Sequence, residues 1–280
     1  MEEHQQKRVP VLHTSVPVLY FGDLSSYFSS PLRVIAAALN PSDAEFPNSR
    51  PEARFPGASE RTPSRHFAAM NGYFDHDPLW RWFKHFDVLL EGLGAGFRAG
   101  RRSRALHTDV CSPFATDPTY SRLSWDQQRE LERVGLPLWS DLVDLLDPHV
   151  IVFSGSEPLR QRIPIFANAP WTTICGSGRK TAWIAQINVR GDRRLGVFGT
   201  TTQVPFGAMS YPERRSAGTL VVRAVRLRRI VRPCRSRALE LGEQFYALSL
   251  INTFFLESAV SVSQAVRSTS RGAFFRIFIK

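Results

Sequence analysis

Hydrophobic positions fall into short segments separated by polar punctuation. Residues 33–39 (RVIAAAL) form an apolar run of strand length that ends at once in Asn40-Pro41-Ser42, the pattern of a buried strand closing in a turn. Leu79, Trp82, Phe83, Phe86, Leu89, Leu90 and Leu93 recur at steps of three and four. That spacing gives one wide apolar helix face, with Pro78 suited to its first turn and Gly94 to its end. Residues 104–111 (RALHTDVC) read as a second strand. Ser124 and Gln127 are spaced as a capping box for a helix from about Trp125, and another helix is expected over 138–146. Residues 149–154 (HVIVFS) form a third strand, whose Gly155-Ser156 turn leads into a further helix. Residues 183–189 and 194–198 are strand candidates, and Ser210, Pro212 and Glu213 open the last helix.

Strands alternating with helices predict an α/β fold, a three-layer α/β/α sandwich with a mainly parallel central sheet. Ligands of such sheets sit beyond the carboxyl ends of the strands. The loops expected to carry function are therefore 40–55, 108–121 and 199–210. Residues 43–77 are rich in Pro, Ser, Asn and Arg and read as one long irregular loop. Residues 1–15 are polar and aperiodic, which predicts a flexible N-terminal arm. The folded domain is expected over 16–222.

Composition changes the picture mainly at the C-terminus. The chain has 280 residues, 43% hydrophobic and 22% charged, ordinary values for a globular protein. Its net charge of +11 is uneven: the last sixty residues carry eleven Lys or Arg and three Glu, the other 220 carry 25 basic and 22 acidic residues. Residues 223–280 are therefore read as a basic appendage. No apolar run approaches the roughly 18–20 residues of a membrane span, and the polar start lacks the apolar stretch of a secretory signal. Three cysteines cannot close a disulfide framework. Together these predict a cytoplasmic protein in a reducing compartment, acting as a monomer.

The candidate chemistry lies in three segments: Asn40, Pro41 and Ser42, with Phe46 and Phe55 downstream; the 106–121 stretch with His107, Thr108, Asp109 and Cys111; and the 199–207 loop with Thr201, Thr202, Gln203 and Phe206. In order and spacing they resemble the uracil-DNA glycosylase superfamily, in its branch with an asparagine in the first motif, over roughly residues 30–220. The resemblance implies a DNA glycosylase without a cofactor or metal. It would act on single- or double-stranded DNA carrying a damaged base. Asn40 would orient the attacking water. Phe55, or Phe46, would stack on the flipped base, and Thr108 or Asp109 would read its edge. Pro41, Ser42 and Cys111 would line the pocket. Ala38 stands where that branch carries glycine, and no histidine follows His149, so the loop histidine of the superfamily is missing. Thr201 and Gln203 are expected to support the leaving base in its place, and Phe206 to wedge into the DNA.

The chemistry is sound without the resemblance. Glycosidic cleavage passes through an oxocarbenium-like sugar, so the water needs orientation more than deprotonation. Arg101 and Arg102, in an Arg-rich stretch, are candidate phosphate contacts. Alternation on the second strand would put His107, Asp109 and Cys111 on one face, which also admits a zinc reading, although ligands spaced by two on one strand suit tetrahedral zinc poorly. The principal alternative is a nucleic-acid-binding relative that kept the fold and lost the chemistry.

Overall fold

The computed structural model describes residues 9–227 except 48, 51 and 61. The chain forms an α/β fold around a seven-stranded mixed sheet. The strands are β1 (Val34–Ala38), β2 (Ala95–Gly96), β3 (Ser103–Asp109), β4 (Val150–Gly155), β5 (Thr172–Cys175), β6 (Ala182–Val189) and β7 (Asp192–Thr200). They lie in the order β2-β3-β1-β4-β7-β6-β5. The first five in that order are mutually parallel, and β6 is antiparallel to both β7 and β5. The helices are α1 (Leu24–Phe28), α2 (Pro63–Asn71), α3 (Trp80–Leu93), α4 (Trp125–Leu146), α5 (Glu157–Arg162), α6 (Pro164–Ala167) and α7 (Tyr211–Leu227).

Alternate strand residues enter two different cores, as the period of two requires. Val34, Ala36, Val150 and Val152 pack with Phe83, Phe86 and Leu89 of α3 and with Ala217 and Val221 of α7. Ile35, Ala37, Ile151 and Phe153 pack with Tyr27 of α1 and with Trp139, Leu142 and Val143 of α4. Strands buried on both faces have no polar alternation to keep, which is why β1 and β4 read as continuous apolar runs. Helices α3 and α7 approach closely through glycines. A Cβ built on Gly92 would lie 2.1 Å from the Arg215 carbonyl oxygen, and one on Gly218 would lie 2.1 Å from that of Leu89.

Several sequence expectations need correction. Residues 9–15 are not loose: Leu12 N–H donates to the Ala115 carbonyl at 3.0 Å and Asp117 N–H to the Pro10 carbonyl at 3.1 Å, tying this segment to the loop after β3. The expected loop over 43–77 contains α2, whose cap is the Thr62 hydroxyl ahead of Pro63. The two helices expected over 125–146 are one. Pro137 sits inside α4, and the stripe Leu131, Gly135, Trp139, Leu142, Val143 and Leu146 continues past it into the core. Packing of that stripe outweighs the hydrogen bond that proline removes. The expected capping box of Ser124 and Gln127 is present. The short strands β2 and β5 carry too little pattern to be read. Helix α7 runs on to Leu227, past the expected boundary at 222, and the rest of the expected appendage lies outside the described residues. Among the described residues no helix is long and apolar enough to cross a membrane.

Candidate functional site

Parallel order puts the carboxyl ends of β3, β1, β4 and β7 side by side along one rim of the sheet. Strands spaced about 4.8 Å apart spread those four ends over roughly 14 Å, the width of one small ligand site. The chain leaves β1 towards β2 and β3 on one side and leaves β4 towards β5, β6 and β7 on the other, so the switch point where open α/β sheets bind ligands lies between β1 and β4.

Asn40 follows β1 at this rim. Its Nδ2 donates to the Thr116 hydroxyl at 3.0 Å and to the Phe114 carbonyl at 3.5 Å. The amide is thus anchored by its donor end, and Oδ1 accepts no hydrogen bond from the described residues. The 112–117 loop that holds it is itself fixed: the Ser112 hydroxyl accepts from Phe114 N–H at 2.9 Å, and Thr116 bridges both Ser42 and Val11. Pro41 is buried and Ser42 half-buried beside this contact.

The β3 end turns the two expected edge readers to opposite sides of the sheet. Thr108 faces the α4 core, where its hydroxyl accepts from Trp139 Nε1 at 2.9 Å. Asp109 faces the other way with His107, whose Nε2 lies 3.4 Å from Asp109 Oδ1. His107 is ringed by Phe21, Trp82, Phe83 and Phe86. Cys111 does not share that face. The strand ends at Asp109, the chain turns, and Cys111 is buried in the core that holds Thr108's partner Trp139. Helix α4 presses on it so closely that a Cβ on Gly135 would lie 1.9 Å from the Cys111 carbonyl oxygen. Burial, with the Glu132 carboxylate nearby, raises the thiol pKa well above its ordinary value. The His107, Asp109 and Cys111 face expected for zinc therefore does not exist. Among the described residues no group of three or more His, Cys, Asp or Glu is placed to hold a metal ion.

Sequence reasoning passed over Glu45. It ends the single turn Asp43–Glu45 that follows Asn40, and it is buried. The Tyr73 hydroxyl donates to its Oε2 at 2.7 Å, and Arg54 Nε lies 3.8 Å away. Burial pushes the carboxyl up to about 8, against the pull of Tyr73 and Arg54, with Asp109 adding to the rise. An acid set directly before Phe46 in an Asn-Pro loop was the available signal.

At the β4 and β7 ends, the Ser154 and Thr201 hydroxyls are 2.7 Å apart and Thr201 N–H donates to the Gly155 carbonyl at 3.0 Å. Ser154 also accepts from Phe206 N–H at 3.1 Å, so it ties the 201–206 loop back to the sheet. Gln203 is exposed on that loop.

Other expected residues lie elsewhere. Phe206 is 1% exposed and packs against Gly199, where a Cβ would lie 2.2 Å from its ring. A wedge must present its ring to DNA, and this ring is core. Phe46 and Phe55 are also buried, stacked on each other with centroids 5.3 Å apart, and Phe55 further meets Phe21 and Tyr73. Their faces are taken up by protein rings. Arg101 and Arg102 are exposed, but they precede β3. A strand of seven residues puts them roughly 20 Å from the carboxyl rim, beyond contact with the site. Comparisons with known proteins found no matching family model, no matching curated protein and no matching solved structure.

Proposed function

We infer that this protein is a DNA glycosylase of the uracil-DNA glycosylase-like kind, a three-layer α/β/α sandwich whose carboxyl rim receives one flipped, damaged base. The observation that carries the reading is the Asn40 amide, held by Nδ2 with Oδ1 left as an open acceptor at the switch point. An amide so fixed orients a water for attack on the anomeric carbon without removing its proton, which suffices when the sugar is already oxocarbenium-like. Asp109 accepts from a base N–H. The Ser154–Thr201 hydroxyl pair offers a donor to charge developing on the departing base. No step calls for a cofactor. The partner is DNA with an extruded damaged base, bound by a monomer in the cytoplasm.

The buried Phe46, Phe55 and Phe206 favour the second reading, a nucleic-acid-binding relative without catalysis. One assay separates the two. Wild type and Asn40→Ala are incubated in enzyme excess with single- and double-stranded oligonucleotides carrying uracil, a thymine mismatch or hypoxanthine, followed by alkali. The glycosylase reading expects strand scission that falls on the order of 100-fold in the variant, the usual size of a positioning loss. Salt-dependent binding with no scission on any substrate would leave only the binding relative.

A further inference from the structure

We propose that Glu45 is a specificity-determining residue, a carboxylic acid whose Oε1–H donates to a carbonyl oxygen of the bound base while Asp109 accepts from the adjacent N–H. This deepens the glycosylase reading and rests on it. The hydrogen-bond directions come first. Leu79 N–H donates to the Tyr73 hydroxyl at 3.1 Å, which leaves the Tyr73 proton for Glu45 Oε2 at 2.7 Å. In the neutral acid Oε2 is then the carbonyl oxygen, and the acid's own proton lies on Oε1. Among the described residues that atom has no hydrogen-bond partner, although the side chain is 5% exposed. Arg54 Nε, a buried donor, and His107 Nδ1, a buried ring nitrogen, also lack partners among the described residues. Buried polar groups are almost always paired, so a cluster of open ones at the end of a strand points to a polar ligand.

The groups facing Glu45 are Tyr73 from the turn after α2, Arg54 from its own loop and Asp109 from the β3 end, with His107 behind Asp109. Burial and Asp109 favour the neutral acid, and Tyr73 and Arg54 oppose it. The midpoint of about 8 keeps Glu45 mainly protonated at neutral pH. An ionised Asp alone can accept from a base but cannot satisfy a base carbonyl. Glu45 supplies that missing donor. The pair then fits a C=O beside an N–H, which is what deamination creates on cytosine or adenine, giving uracil or hypoxanthine. Above its midpoint Glu45 becomes a second acceptor and repels the same oxygen, so recognition is lost as pH rises.

The test uses binding, so that it does not depend on turnover. Fluorescence anisotropy compares the full chain with oligonucleotides carrying 2′-fluoro-2′-deoxyuridine or 2′-fluoro-2′-deoxycytidine, which resist cleavage. The wild type is expected to prefer the uracil probe on the order of tenfold near neutral pH. That preference should decay about tenfold per pH unit above the Glu45 midpoint. Glu45→Gln keeps a donor at every pH and should flatten the profile, whereas Glu45→Ala should lose the preference throughout. Tyr73→Phe removes a bond that favours the ionised form and should move the decay to higher pH. A decay shared unchanged by wild type and Glu45→Gln overturns the proposal, as does equal binding of the two probes at all pH values. Base release in the alkali assay judges the glycosylase reading separately, so the two can fail independently.

Discussion

Asp109 and Cys111 are two residues apart, yet Cys111 is buried in the core against α4 while Asp109 faces the other side of the sheet with His107, because the chain turns as β3 ends. At the residue scale, this turn separates a group that meets the rim from one that does not. The Cys111 thiol is fully buried and its pKa is raised by that burial, so little thiolate forms. Iodoacetamide near pH 8 should label Cys111 on the order of 100-fold more slowly in the folded protein than in urea, because access requires local opening. Mass spectrometry of the Cys111 peptide over time measures it, and equal rates would contradict the burial. Asn40 was legible from its neighbours alone, since a strand running into Asn-Pro marks a strand end. Glu45 was not: its burial depends on Tyr73 and Arg54, which lie 28 and 9 residues downstream.

The elements that carry the rim are held from behind by helix packing. Helices α3 and α7 meet with glycine facing backbone at both Gly92 and Gly218. Neither helix can accept a methyl group there without moving. Gly218→Ala should cost about 1–3 kcal/mol, the usual range for overpacking, despite alanine's better helix propensity. Urea unfolding measures it, with exposed Thr219→Ala expected within about 0.5 kcal/mol of wild type. Helix α7 also reaches the site loop. Arg214 Nε donates to the Phe206 carbonyl at 3.1 Å while its Nη1 meets His85 Nδ1 at 2.7 Å. The face of α3 was visible as a 3.6-residue period. The single helix α4 was hidden because proline is a local signal for an end, and only the core it enters makes continuation favourable.

At the scale of the whole molecule, charge is divided between the two rims. The amino-terminal rim holds a buried cluster in which Arg33 and Arg194 each lie 2.5 Å from a different oxygen of Asp147. These contacts join the start of β1, the end of α4 and β7. Removing Asp147 leaves the poorly hydrated Arg33 guanidinium without its carboxylate and Arg194 with only the exposed Asp192. Asp147→Ala should therefore lower stability by about 3–5 kcal/mol. Binding of a uracil-containing oligonucleotide by the fraction that remains folded should change less than twofold, since the far rim is untouched. Denaturant unfolding paired with anisotropy measures both quantities. A loss of affinity as large as the loss of stability would show that the rims are not independent.

Local pattern determined the central strands and the long amphipathic helices, the alternation that makes the fold α/β, and the three loops at strand ends, because periodicity and punctuation are properties of neighbouring residues. Tertiary structure alone decided which side chains those loops present. A strand's last residue can face either core, and a phenylalanine can serve a ligand or the interior with the same sequence around it. Facing is settled by register and by what the opposite layer contributes: Trp139 claims Thr108, Gly199 makes room for Phe206, and Tyr73 takes Glu45 inward.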